Sequence, residues 1–347
     1  MRFPLQRLEP GLPTHVLLQL LESGILDEGE QARFRAIMAR EGGDPSTMAA
    51  PGAQAPMRWF REVCPDLDAD KAALIGYHAG EKVRLTSNSL LSLPLVSAGS
   101  VSEALNLLKF LPLISNVISA TFLESDEAVL IMLHVNSGDA VLDRLPVFYC
   151  AAAFIRLLRI LSAEALELTF HIAWPMPAGL ADHPDSIAGG LRFDAPMHYI
   201  AVPRRSLEAV CRFADPIAYR SAVASLQALL SSQATSDDVA ARVRRGLEAR
   251  PGLIRIDEVA RGLNLSVSTL KRRLADAGTS FSDLLEEVLR NRAKLMLADA
   301  TITLETIALT LGYSDLANFS HAFKRWTGTS PGVFRRLVAR EGERHDN

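Results

Sequence analysis

The feature that most constrains this chain is a repeat near its C-terminal end. The triplet Gly-Thr-Ser occurs at 278–280 and again at 328–330, each time after a basic, helix-like stretch. Ala260 and Asn264 stand 48 residues before Ala308 and Gly312. Leu270 and Leu274 stand 49 before Phe319 and Phe323, and the triplets are 50 apart. Small, turn-forming and large apolar residues thus recur in one order, with an offset that grows one residue at a time. A duplicated unit with two small insertions produces that drift.

Each copy predicts helix, tight turn, helix. In the first, IDEVARGL sets Ile256, Val259, Ala260 and Leu263 on one helical face. Asn264 falls where the chain must turn, and asparagine tolerates the left-handed conformation better than most residues. Ser266 can cap the next helix, which is expected to bury Leu270, Leu274 and Ala277. In the second, TLETIALTL supplies Leu304, Ile307, Ala308 and Leu311, with Gly312 at the turn; the following helix is expected to bury Leu316, Phe319, Phe323 and Trp326. An alanine four residues before each turn lets two helices cross closely, as the helix-turn-helix pattern requires.

Helical hairpins also occur in proteins that touch no nucleic acid. Here the outward positions of both second helices are polar and basic, whereas a merely solvated face would mix in carboxylates. They are Ser268, Thr269, Lys271, Arg272 and Arg273, with the capping Ser266, and then Asn318, His321, Lys324 and Arg325. Such side chains can contact base edges and phosphates. The spacer, residues 281–299, has apolar residues at helical intervals and neither Gly nor Pro, and Ser280 with Asp283 resembles a capping box. Its nineteen residues at ~1.5 Å each would span roughly 28 Å. Successive major grooves on one face of DNA lie about 34 Å apart. Two copies therefore allow one chain to engage two half-turns of one duplex.

The stretch from about 236 to 340 resembles the DNA-binding domain of the AraC/XylS transcription regulators. The second copy, GYSDLANFSHAFKRWTGTSPGVFRR, is similar to that family's signature almost throughout, with Phe334 where a tyrosine is common. The first copy is looser, with Asn264 in place of the usual glycine. The resemblance implies that residues 268, 271 and 272 face bases, as do 318 and 321. Position 321 is often arginine in relatives, and here it is His321.

Charge is distributed unevenly. From Ala234 onward there are 18 Lys+Arg against 15 Asp+Glu, and before it 19 against 25. The shift agrees with a boundary near 232–236, where LLSSQATSDD gathers turn-forming residues. The expected organisation is a regulatory domain over 1–232, a DNA-binding domain over 236–340 and a polar tail over 341–347.

The N-terminal two-thirds predicts an α+β domain. Helices are expected in THVLLQLLESG, GEQARFRAIMARE, VSEALNLLKFLPLI and LPVFYCAAAFIRLLRILS. Strands are expected in ISATFLES and AVLIMLHV around residues 125–127, in ALELTFHIAW, and as two more around residues 194–196. The order of these elements, together with LPLVSAGSVSEALNLLKFLPLIS, FHIAWPMP and LRFDAPMHYIAVPRRSLE, resembles a sensor domain of one branch of the AraC family, called arabinose-binding-like. It differs from the cupin-barrel sensor of the sugar-responsive members. The resemblance implies an effector domain without naming a sugar as the effector.

Phe148, Tyr149, His171, Trp174 and Tyr199 are the aromatic pocket candidates, but most aromatics in such apolar segments are core. His134 and His171 are single histidines with no second ligand at metal spacing, so neither a metal nor another cofactor is expected. Cys64, Cys150 and Cys211 are isolated, as expected of free thiols in a reducing cytoplasm. No stretch is long and apolar enough for a membrane span, and the N-terminus lacks a secretion signal.

The leading expectation is therefore a cytoplasmic bacterial regulator that binds double-stranded operator DNA and answers to a small-molecule effector, with RNA polymerase as a possible contact. It is not expected to be an enzyme. The alternatives are a fusion to a repair alkyltransferase, which would need cysteines close together, and a regulator acting through protein contacts alone. Tyr219, Val223, Leu226 and Leu230 form a short apolar seam. It could pair with a twofold mate in a homodimer or pack onto its own domain.

Overall fold

The alternation of apolar residues in AVLIMLHV and its neighbours builds the sheet at the centre of the N-terminal region. The computed structural model describes residues 9–43, 53–124, 127–164, 166–182, 190–233, 239–248 and 252–343. Parts of the expected turn at 125–127, of the strand beginning at 165, of the 232–236 boundary and of the 341–347 tail lie outside the described residues. The chain divides into two units, one of Met1–Asp194 and His198–Leu230, the other of Ser231–Asn347 with Ala195–Met197.

The first unit opens with β1 (Gly11–Pro13), α1 (Thr14–Ser23) and α2 (Glu28–Glu41), the last begun by a reciprocal cap between Asp27 and Glu30. β2 (Gln54–Pro56) pairs antiparallel with β1. Then come α3 (Arg58–Val63), α4 (Ala69–Glu81), α5 (Ser92–Ser97) and α6 (Val101–Asn106). The single helix expected from VSEALNLLKFLPLI is not formed: after Asn106 the chain tightens into a 3-10 helix, Leu107–Leu113, which contains Pro112. Proline offers no N–H and clashes with the carbonyl four residues back, so an α-helix cannot run through it.

β3 (Ile118–Glu124) and β4 (Ala128–Val135) pair antiparallel, with Ile118 opposite Val135 and Glu124 opposite Val129. After α7 (Arg144–Leu161), β5 (Thr169–His171), β6 (Leu191–Arg192) and β7 (Tyr199–Pro203) complete a mixed sheet in the order β3-β4-β7-β5-β6. The expected strand ALELTFHIAW is shorter than anticipated. Only three of its residues find partners, Thr169 to His171 opposite Ala201 to Tyr199. Ile131, Phe170, Ile200 and Val202 from the sheet share one core with Val147, Phe148, Ala151, Ile155 and Leu158 of α7.

The last helix of this unit, α8 (Arg204–Leu207) apart, is α9 (Pro216–Gln233). Tyr219 and Leu226 are buried in the same core, Val223 and Leu230 pack against it, and the Tyr219 hydroxyl donates to the Glu103 carbonyl at 2.9 Å. The seam is thus occupied by its own domain and is not available to a twofold mate. No helix among the described residues is long and apolar enough to cross a membrane.

The second unit is helical among its described residues from Ser231 on: α10 (Val239–Glu248), α11 (Ile256–Gly262), α12 (Val267–Asp276), α13 (Phe281–Ala298), α14 (Leu304–Thr310), α15 (Leu316–Thr327) and α16 (Pro331–Glu343). Val243, Leu247, Val259, Ala260, Leu270, Leu274, Leu284 and Val288 form one core around the first repeat. Ile307, Ala308, Leu311, Phe319, Phe323 and Phe334 are buried in the second. Three positions differ from expectation. Ala277 is exposed because it closes α12 as its C-cap, and Leu316 and Trp326, in the first and last turns of α15, are half-buried.

Candidate nucleic-acid interface

The two repeats fold as equivalent hairpins. Asn264 has φ 55 and Gly312 φ 84, both left-handed. In each the residue after the turn donates to the alanine that lets the helices cross, Leu265 to Ala260 and Tyr313 to Ala308, at 2.9 Å in both. Ala260 and Ala308 are buried, as close crossing demands. Gly312 is constrained twice over, since a Cβ there would lie 2.7 Å from the Leu253 nitrogen.

The structure also locates the two insertions. The second helix is capped by Ser266, two residues after Asn264, in the first copy, and by Asp315, three after Gly312, in the second. At the other end Gly278 follows Leu274 by four residues, whereas Gly328 follows Phe323 by five. One extra turn residue and one extra helical residue account for the drift from 48 to 50. The repeated triplet is a stop and a start: Gly278 and Gly328 close α12 and α15 in the left-handed conformation. Ser280 then caps α13 in a reciprocal box with Asp283, and the Ser330 hydroxyl accepts from Val333 N–H at 3.4 Å.

Of the ten residues expected to meet DNA, Ser266, Ser268, Lys271, Arg272, Arg273, Asn318, His321, Lys324 and Arg325 are exposed, and Thr269 is half-buried. Thr269 belongs to the cap, its N–H and hydroxyl both meeting the Ser266 hydroxyl, at 3.1 and 2.8 Å. Lys271, Arg272 and Arg273 form no ion pair among the described residues. The second helix is more engaged. The Asn318 side-chain amide donates to Ser314 Oγ at 3.0 Å and to Asp315 Oδ2 at 2.7 Å, and its backbone N–H donates to Asp315 Oδ1 at 2.7 Å. The Asn318 backbone N–H foremost, then the Ser314 hydroxyl donating to Asp315 Oδ2 at 3.0 Å, hold the Asp315 carboxyl below the usual carboxylate range. Arg325 is ion-paired with Glu286 of α13. Glu286 lies 39 residues away in the chain, beyond the reach of any local sequence pattern.

α13 has 18 residues, or about 27 Å at ~1.5 Å per residue. Its buried residues Leu284 and Val288 belong to the first repeat's core.

The aromatic candidates in the first unit lie inside its packing. Phe148 is fully buried and lies parallel to Trp174 at 6.4 Å, and Arg144 sits 4.7 Å over the Trp174 ring. His171 stacks on Tyr199 at 4.1 Å, and the Tyr149 hydroxyl donates to Gln19 Oε1 at 2.7 Å. The three thiols are free and separate, and burial pushes Cys64 and Cys150 up to about 12. Among the described residues no group of three or more His, Cys, Asp or Glu could hold a metal ion.

Two helix-turn-helix hairpins with exposed basic second helices, on a chain with a separate α+β domain, define a DNA-binding transcription regulator with an N-terminal effector-binding domain. Residues 259–337 match the helix-turn-helix domain model, and residues 32–210 match the arabinose-binding domain of AraC transcription regulators. The chain belongs to the AraC family of transcription regulators and is not an enzyme.

An uncharacterized HTH-type transcriptional regulator of Mycobacterium tuberculosis is 26% identical over 344 residues, 96% of this chain and 98% of that one. The ornithine utilization regulator of Pseudomonas aeruginosa is 32% identical over 164 residues, 47% of this chain, and the match spans about half (48%) of that relative's length. The crystal structure of the transcriptional regulator CdpR from Pseudomonas aeruginosa is 24% identical, with a TM-score of 0.42 over 89% of this chain and 98% of that one.

Proposed function

We propose that α12 and α15 enter successive major grooves on one face of a DNA duplex and that α13 sets their separation. The observation that carries this reading is the exposed, basic character of both second helices, with Lys271, Arg272 and Arg273 on one and His321, Lys324 and Arg325 on the other. Ser268, Lys271, Arg272, Asn318 and His321 address base edges; Ser266, Thr269, Arg273, Lys324 and Arg325 address the cap region and the phosphates. Residues 236–340 act as the DNA-binding domain of a cytoplasmic regulator. Residues 1–232 act as a sensor of a small-molecule effector, and contact with RNA polymerase is the output. Because one chain holds two reading units, a monomer suffices to occupy one site, and any homodimer uses a surface other than the seam on α9.

Genome-wide mapping of bound fragments tests the reading. Wild type should enrich one shared motif, and Arg272→Ala should relax it at one base pair. Enrichment without a motif in wild type would contradict it.

A further inference from the structure

An open depression of roughly 530 Å³ lies beside the second recognition helix, lined by Leu253, Gly312, Asn318, His321 and Arg325 among others. Leu253 comes from a different part of the unit, the segment before α11. Its neighbours fix it from both sides. Ile254 is buried in the core of the first repeat. Gly252, at φ 85, lies against the second repeat's turn, where a Cβ would be in ordinary van der Waals contact with the Thr310 carbonyl oxygen at 3.5 Å. The Leu253 nitrogen is in turn the atom that a Cβ on Gly312 would strike. The backbone at residue 253 is therefore packed against both hairpins, yet the residue is 50% exposed.

A single exposed leucine is ordinary. This one stands at the rim of the face formed by Asn318, His321 and Arg325, which are polar or basic. DNA seated on those three side chains would have Leu253 beside it, since all four line the same depression. The apolar feature of the major-groove edge is the 5-methyl group of thymine, and apolar side chains read it by contact.

We infer that Leu253 is a specificity residue of the second reading unit, which contacts a thymine methyl beside the base pairs addressed by Asn318 and His321. The inference rests on the proposal that α15 enters the major groove. A held backbone matters here, because a side chain on a mobile loop would surrender ordering entropy for one methyl contact.

The test takes a site selected in vitro by the full-length wild-type protein and replaces its thymines with deoxyuridine one at a time. The affinities of wild type and Leu253→Ala are then compared. At one thymine in the half bound by α15, wild type should lose about fourfold, the worth of one buried methyl-sized group. Leu253→Ala should lose about as much on the thymine site and show no further loss with uracil there. Thermal unfolding should show only a small loss for Leu253→Ala, a few degrees at most, since half of the residue is already in water. If Leu253→Ala keeps the full uracil penalty at every position, the assignment of Leu253 is overturned while the two-helix reading stands. If wild type selects no sequence at all, or protects only one half-site, the underlying reading is overturned with it.

Discussion

The two helix-turn-helix units share a fold but hold their contact residues differently. In the first, Lys271, Arg272 and Arg273 project from α12 with no ion pair among the described residues, and the turn is made by Asn264 with φ 55. In the second, Arg325 is tied to Glu286, Asn318 is tied to Ser314 and Asp315, and the turn is made by a glycine that has no room for a side chain. On the proposed reading, DNA would meet a free cationic face on one unit and, on the other, a face where Arg325 and Asn318 already hold internal partners. Contacts from Lys271, Arg272 and Arg273 would then add fully to affinity, whereas those from Arg325 and Asn318 would first have to release Glu286, Ser314 and Asp315. Base reading would then fall mainly to α12, and anchoring, with a narrower readout, to α15.

The largest expected effect is on the turns. Gly312→Ala forces a Cβ into a left-handed backbone and against Leu253, and should destabilise the DNA-binding unit by about 2–3 kcal/mol. Asn264→Ala should cost about 1 kcal/mol, and Asn264→Gly should change stability by less than about 0.5 kcal/mol. Thermal unfolding of the full chain measures all three. Equal losses for Gly312→Ala and Asn264→Ala would erase the contrast between the turns.

Next come the contacts. Arg272→Ala should cost about 1–3 kcal/mol of specific binding and relax one base position, while Lys324→Ala should weaken binding uniformly and lower the salt slope by about 1. Titrations on matched and mismatched sites over a range of salt separate the two outcomes.

A smaller effect is expected in the opposite direction. Glu286→Gln releases Arg325, and DNA affinity should rise about two- to fivefold with a salt slope steeper by about 1. Both partners are exposed, at 65% and 46% of the side chain, so stability should hardly change. A loss of affinity would mean that Glu286 positions Arg325 for DNA rather than occupying it.

Much of this was legible in the sequence because it depends on local chemistry. The repeat, the caps at Ser266 and Ser280, the left-handed turns at Asn264 and Gly312 and the outward polar face each follow from spacings of a few residues. The β3–β4 hairpin followed from two apolar strands adjacent in sequence. What escaped depends on distant partners or on competition. Glu286 and Leu253 lie 39 and 59 residues before the residues they meet, Arg325 in the second recognition helix and Gly312 in its turn. The seam of α9 has the same spacing whether it faces a mate or its own core, and only the three-dimensional packing of Tyr219 and Leu226 decides between them. Short strands such as β6 are defined by their neighbours rather than by their own residues.

The central claim is that one chain places two recognition helices in successive major grooves on one face of DNA. Hydroxyl-radical footprinting of wild type on a selected site measures this directly. Two protected blocks are expected, with centres about 10 base pairs apart on the same face of the duplex. Lys324→Ala should weaken one block and Arg272→Ala the other. A single protected block, or two blocks that weaken together in both variants, would contradict it.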